Sequence, residues 1–401
     1  MPTPKALSPW RSYLLWLAAT VTALLAGVCA FNVLIDPLGV FGSPRIKGIN
    51  ALQPYIYHHQ ELARWQAAQR LCPSAGIFGN SRAEIGFDPT HQAFAAKGLT
   101  AFNHAIPGSG ANLAVRQLDW LQAAGCNPRT IIFGVEFFEF LGGEKASQRL
   151  EVSAPPKLDS RFFSESVLSV IGLRDAVETI LTQRARHPAT ITARGFNPLG
   201  QAIGEVEASG HYLLFRQRAD ENLRIWSRKA PRIDASDGGR TAAQMAVETF
   251  LERATREGSE VNLVIYPYHA EIRLMLERLG LGSLFNDWKR RVVTLAGHYP
   301  NVRVWDFSGI SPEILEEIPP RGDRHTLLKY YWESGHFNAS LGGRALARIL
   351  GGDETFGVEL RDNKLENWLR EDSNRVQALL TKPSPLLTEV DDVLAKAQRS
   401  H

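Results

Sequence analysis

The sequence predicts an α/β protein built on a largely parallel sheet, preceded by one apolar helix long enough to cross a membrane. Three observations predict it. Short, near-continuous apolar runs recur along the chain, amphipathic helical patterns fill the intervals between them, and residues 12–35 carry no charge at all. At 401 residues the chain has room for one large domain with an insertion, or for two small ones. Its 44% hydrophobic and 22% charged residues exclude long disorder, collagen and coiled coil. A net charge of +3, from 45 basic against 42 acidic residues, lacks the basic excess of a nucleic-acid-binding protein. Three cysteines exclude a disulfide-stapled miniprotein and a zinc ribbon.

The uncharged stretch Ser12–Ile35 exceeds the roughly 20 apolar residues that span a bilayer. Lys5 and Arg11 precede it and Asp36-Pro37 follows, so residues 1–11 are expected in the cytoplasm and the body on the far side. A cleaved signal peptide competes through Val28-Cys29-Ala30, but the apolar stretch is longer than the usual signal core of about 7–15 residues. Val28 is too bulky for the position before a lipidated cysteine. The reading is a retained anchor over 12–35, a connection over 36–71 and an exported body.

Candidate strands lie at 75–79, 99–103, 130–135, 261–266 and 302–307, most of them apolar without alternation, as strands buried on both faces are. Helical spacing covers 112–125, 240–257 and 340–350. Alternation of the two predicts a parallel sheet covered on both sides, with ligands beyond the carboxyl ends of its strands. The interval between the third and fourth strands is too long for one crossover and predicts an insertion at 141–238. Residues 145–232 hold fourteen Lys/Arg against nine Asp/Glu, a surplus of five that exceeds the charge of the whole chain. With Phe162, Phe163, Phe196, Tyr212, Phe215 and Trp226, this segment reads either as a surface for an acidic or sugar-like polymer or as a solvated basic face over a small aromatic core. Residues 353–401 read as a peripheral helical tail. Cys72 and Cys126 precede the first and third strands, so in an oxidising space they are placed to bridge; two buried free thiols are the alternative.

Ser81, in Gly79-Asn80-Ser81-Arg82, follows the first strand and leads into a helix. A serine there is either a helix cap or a nucleophile, and a nucleophile requires an adjacent base. His336 supplies one: it stands three residues after Glu333, a spacing that lets the carboxylate hold Nδ1–H and leave Nε2 to accept a proton. Asp306 is a reserve orienter. Donors for an oxyanion are sought at the Ser81 N–H, at Gly108, and at the amides of Asn80 and Asn112. Gly108-Ser109-Gly110 begins a dinucleotide pattern that Leu113 breaks. His269, ending Tyr266-Pro267-Tyr268-His269, reads as a substrate contact at the site's edge or as a packed loop histidine. His58 and His59 are adjacent and cannot share one metal from a regular element. HExxH and CxxC are absent, so no metal and no cofactor are expected.

These turns, a glycine-led serine after strand one, an Asn/Gly turn after strand two and a carboxylate-x-x-His before the last helix, resemble the SGNH (GDSL-type) hydrolase superfamily. With the anchor running into NVLIDPLGVF, the arrangement is similar to the membrane-anchored SGNH-like domains of alginate-type bacterial polysaccharide O-acetyltransferases. The resemblance covers about 72–352. It implies a three-layer, flavodoxin-like α/β/α domain with Ser81 as nucleophile, His336 as base and Gly108 as an oxyanion donor. Two departures stand out: Glu333 replaces the family's usual Asp, and Gly134-Val135-Glu136-Phe137 replaces Gly-x-Asn-Asp. The oxyanion asparagine is thus missing, and Glu136 either repels developing charge or binds a sugar hydroxyl. The expected function is acyl (acetyl) esterase or O-acetyltransferase action on an envelope or secreted polysaccharide at a bacterial inner membrane, with the body periplasmic. Other polysaccharide-export proteins are conceivable partners, and nucleic acid is not. The rival is a catalytically weak SGNH-like protein that binds glycan or scaffolds a secretion complex.

Overall fold

Consecutive residues of a strand face opposite sides of the sheet, so a strand whose every residue is buried must be covered on both sides. That is the case for β1 (Ala75–Phe78) and β2 (Ala101–Asn103), and for all but the first residue of β3 (Thr130–Val135) and β4 (Glu260–Ile265). Together with β5 (Val302–Asp306) these strands run parallel, in the order β2-β1-β3-β4-β5. The computed structural model describes residues 9–142 and 153–399. It is a mixed α/β protein with a mostly parallel central sheet and an N-terminal apolar helix. All five strand positions match the sequence reading to within two residues.

The sheet has a sixth strand within the segment read as a helical tail. A short hairpin, β6 (Tyr331–Glu333) and β7 (His336–Phe337), precedes the helix Ala339–Ile349. Beyond that helix, β8 (Val358–Leu360) pairs antiparallel with β5 at the edge of the sheet. Three residues leave almost no periodicity to read, which is why β8 escapes the sequence. The helices Asp362–Thr381 and Pro385–Arg399 follow it as expected.

The chain divides into two compact units. The first contains residues up to Gln66 together with Pro156–Thr190, and the second contains Ala67–Pro155 and everything from Ile191 onward. The predicted insertion 141–238 is therefore split: its 156–190 stretch joins the unit of the apolar helix, and its later helices join the sheet. The expected cytoplasmic segment, up to residue 8, and residues 143–152 lie outside the described residues.

In the first unit the helix Pro9–Ile35 is long and apolar enough to cross a membrane, and its most apolar 18-residue window is entirely unburied. It stops at Asp36, which has a φ of +50° and whose carboxylate accepts the N–H groups of Val40 and Gly42, both at 2.9 Å. In the second unit Cys72 and Cys126 form a disulfide, with 5.1 Å between their Cα atoms. Each cysteine precedes its strand, so the bridge ties neighbouring β1 and β3 together at their amino ends.

Two tests follow from this architecture. Reduction of the intact protein is expected to add 2 Da, the mass of the two hydrogens gained, and Cys126→Ala to lower stability by about 2–4 kcal/mol in denaturant titrations. Equal stability of wild type and variant would mean that the bridge constrains little. A Cβ at Gly342 would run into the Gly86 carbonyl oxygen, so Gly342→Ala is expected to cost about 1–3 kcal/mol. An unchanged melting temperature would contradict that contact.

Candidate active site

The carboxyl ends of β1, β3 and β4 lead into Gly79, Glu136 and Tyr266, and the groups with chemical potential gather around them. Gly79 has a φ of +144°, and a side chain there would meet the Tyr266 hydroxyl, so only glycine turns the chain sharply enough. Asn80 then caps the helix Ser81–Gly86, its Oδ1 accepting the Arg82 N–H at 3.1 Å. Serine is the first residue inside this helix rather than its cap, which leaves its hydroxyl uncommitted to the backbone.

Ser81 meets its partner because two helices touch through glycine. Gly342, in the helix after the β6–β7 hairpin, lies against Gly86, and the Phe337 ring lies over Gly86. Phe337 also packs on Phe87, with ring centroids 5.3 Å apart. This contact carries the hairpin to the serine helix, and Ser81 Oγ lies 2.7 Å from His336 Nε2 across 255 residues of sequence. On the other side of the ring, Nδ1 is hydrogen-bonded to Glu333 Oε1. Glu333 Oε2 accepts the Gly335 N–H at 2.6 Å, and Arg218 Nε lies 3.0 Å from Oε1. Burial alone would raise the Glu333 pKa; His336, Arg218 and the Gly335 amide outweigh it and hold the carboxyl down at about 2. The carboxylate therefore stays ionised, fixing the tautomer in which Nε2 is free to accept the serine proton.

Glu136 follows β3 beside the serine turn, and its charge is countered. It pairs with the Arg82 guanidinium, accepts Tyr268 Oη at 2.6 Å and lies 3.3 Å from Asn80 Nδ2. Arg82 in turn stacks over Tyr268, 5.3 Å from the ring centroid. Asn80 thereby commits its oxygen to the cap and one of its two amide hydrogens to Glu136. The repulsion expected of a bare carboxylate beside Ser81 is answered by a cation one residue along the chain.

The other sequence candidates fall in different surroundings. Gly108 is exposed, with open space around its Cα, on a loop tied to the serine turn by Ser109 Oγ and the Ile106 N–H, both bonded to the Gly79 carbonyl. Asn112 is exposed on the helix Ala111–Ala123 and does not cap it; Gly110 is the cap residue, and Glu139 Oε1 accepts the Ala111 N–H at 2.7 Å. Glu139, pushed up to about 7 mainly by burial, was not anticipated from sequence. His269 is fully buried, with Nε2 2.8 Å from the Glu316 carbonyl and Nδ1 accepting the Glu271 N–H, so it is the packed histidine and not a substrate contact. Burial holds it neutral, with a pKa lowered to about 4. Asp306 is no reserve orienter: it is sealed against Lys289 at 2.7 Å and Trp368 Nε1 at 2.9 Å. Among the described residues, no cluster of His, Cys, Asp and Glu suits a metal ion.

Arg82 and Arg218 are the residues that sequence reasoning passed over. Arg82 carried a signal, since a cation beside the serine suits a carboxylate at the end of the neighbouring strand. Arg218 reaches Glu333 from the helix His211–Trp226, more than 100 residues upstream in the chain, and no local pattern announces it.

Behind the hairpin, Glu271 is buried beside Ser334 and Glu333, and burial first, then the Glu333 charge, raise it to about 8. An ordinary glutamate titrates near 4.3. The proton held in the folded state adds stability that is complete below that value and disappears as pH rises through about 8. Wild type should therefore lose more melting temperature than Glu271→Gln between pH 5 and pH 9. Parallel losses would show that Glu271 titrates normally.

Compared with protein-family models, curated proteins and solved structures, the chain finds no match.

Proposed function

We propose that this chain is a membrane-anchored serine acyl esterase or O-acyltransferase of SGNH-like type, with a three-layer α/β/α body in the periplasm. Its substrates are acyl, chiefly acetyl, esters of an envelope or secreted polysaccharide. The observation that carries the proposal is the continuous relay from Ser81 Oγ through His336 to Glu333. His336 Nε2 takes the hydroxyl proton as Oγ attacks the ester carbonyl. The tetrahedral intermediate collapses when the imidazolium returns that proton to the departing alcohol, leaving an acyl-serine. Water or a sugar hydroxyl then attacks the acyl-serine, giving its proton to His336, which passes it back to Ser81. The N–H groups of Ser81 and Gly108 are the assigned oxyanion donors.

The polysaccharide substrate rests on the family resemblance and not on the aromatics of 145–232, since Phe162, Phe196, Phe215 and Trp226 are buried as core; from that segment Arg218 extends to the relay. One observation favours the alternative of a weakly active glycan-binding protein. The position after β3 holds a carboxylate already satisfied by Arg82 and Tyr268, where an amide donor is expected, and losing one such donor costs about 10²–10³ in rate.

Labelling of the full-length protein with a serine-directed fluorophosphonate distinguishes the two. Labelling is expected in wild type and absent in Ser81→Ala, while Glu333→Gln, which disturbs the tautomer, is expected to slow turnover of an acetyl ester by about 10⁴-fold. No labelling of wild type, or labelling that survives Ser81→Ala, would leave the binding role.

A further inference from the structure

The helix Val170–Thr182, in the first unit, is inside out. The residues it buries are small or polar: Gly172, Asp175, Ala176 and Thr179. The side facing the protein is held by polar contacts. Asp175 lies 3.9 Å from His58 Nδ1, Glu178 bonds the Tyr55 hydroxyl, and Gln183, just past the helix, clasps both the N–H and the carbonyl of Leu52. The outward face is largely apolar, interrupted by the exposed Arg174–Glu178 pair. Val170 is 85% exposed, Ile171 63% and Leu181 70%, with Val177 between them and Leu168 just before. A helix that faces water has the opposite arrangement, and a contiguous exposed apolar face marks a protein or lipid contact.

Its position favours lipid. Asn32, in the last turn of the apolar helix Pro9–Ile35, donates to the Val167 carbonyl at 2.7 Å, and the two helices pack together. The exposed apolar face therefore begins where the apolar helix ends, next to Leu34, itself exposed. We infer that residues 168–181 lie along the membrane surface, with Leu168, Val170, Ile171, Val177 and Leu181 sunk into the acyl boundary of the leaflet from which Pro9–Ile35 emerges. Arg174 sits on the same outward side, paired with Glu178 at 3.2 Å, where its stem can run along the apolar face and its guanidinium can reach the headgroups. About 20 Å of helix at a rise of 1.5 Å per residue gives the unit a second line of attachment. A single spanning helix leaves a domain free to swivel; a second contact with the bilayer fixes its orientation.

The inference rests on the reading that Pro9–Ile35 spans the bilayer, and the test separates the two. Cys29 is the free cysteine among the described residues, and the other two are bridged. In a Cys29→Ser background, Ile171→Cys, Leu181→Cys, Leu24→Cys and Arg256→Cys are each labelled with a nitroxide under non-reducing conditions. The full-length protein is then reconstituted in phosphatidylethanolamine–phosphatidylglycerol vesicles. Collision with oxygen, which partitions into lipid, is compared with collision with a water-soluble nickel chelate. Labels at 171 and 181 are expected to favour oxygen, as at 24, while the label at 256 favours nickel. Nickel-dominated labels at 171 and 181 beside an oxygen-dominated label at 24 would overturn the inference and leave the span intact. Labels at 171 and 181 shielded from both reagents would mean that protein covers this face, and would overturn it equally. A nickel-dominated label at 24 would remove the span itself, and the inference with it.

Discussion

Neither Gly86 nor Gly342 has room for a side chain: at Gly342 the backbone of the serine helix is in the way, and at Gly86 the Phe337 ring is. That closeness is the constraint on which the candidate site depends. Ser81 starts one of these helices and His336 lies shortly before the other, so the distance between hydroxyl and imidazole is set by how nearly two backbones can approach. Phe337 fills the remaining volume between Gly86, Phe87 and Tyr266 and prevents the hairpin from rotating away. A methyl group in this seam would act on the site without touching any of its reactive atoms.

Charge at the strand ends is compensated locally and then connected. Arg82 neutralises Glu136, Arg218 lies on Glu333, and both cations stand within reach of the same hairpin. Farther along the sheet, Asp306 and Lys289 form a fully buried pair next to Arg273 and Asp372. Breaking such a pair strands a charge in a medium that cannot solvate it, which costs far more than the pair contributes while intact. These charged pairs are tolerated at the sheet's carboxyl edge because each group has its counter-charge, whereas burial pushes Glu139 and Glu271 up.

How much of this was legible in the sequence depended on range. β1 through β5 were legible because burial on both faces writes uninterrupted apolar runs, and Ser81, His336 and Glu333 because their spacing to neighbouring elements matched a known chemical pattern. Where the reading failed, the deciding partner lay far away in sequence. His269 sat at a strand end, where ligands bind, and only its contact with the Glu316 carbonyl shows that its ring is occupied. That Asn80 gives one of its amide hydrogens to Glu136 is likewise a tertiary fact. The split of 141–238 between two units was invisible for the same reason: composition describes a segment, not the partner against which it packs.

The bond between Cys72 and Cys126 sits at the amino ends of β1 and β3, while Ser81 and Glu136 follow their carboxyl ends. The two edges of the sheet are thereby secured by unlike means, a covalent clasp at one and close-packed glycine at the other. Only the clasp depends on its surroundings, because a thiol-rich compartment keeps it open. A copy of this chain stranded where thiols stay reduced would have its reactive edge assembled above a frame that lacks its lower rivet. Durability, rather than chemistry, is what would tell that copy apart from one that reached an oxidising space.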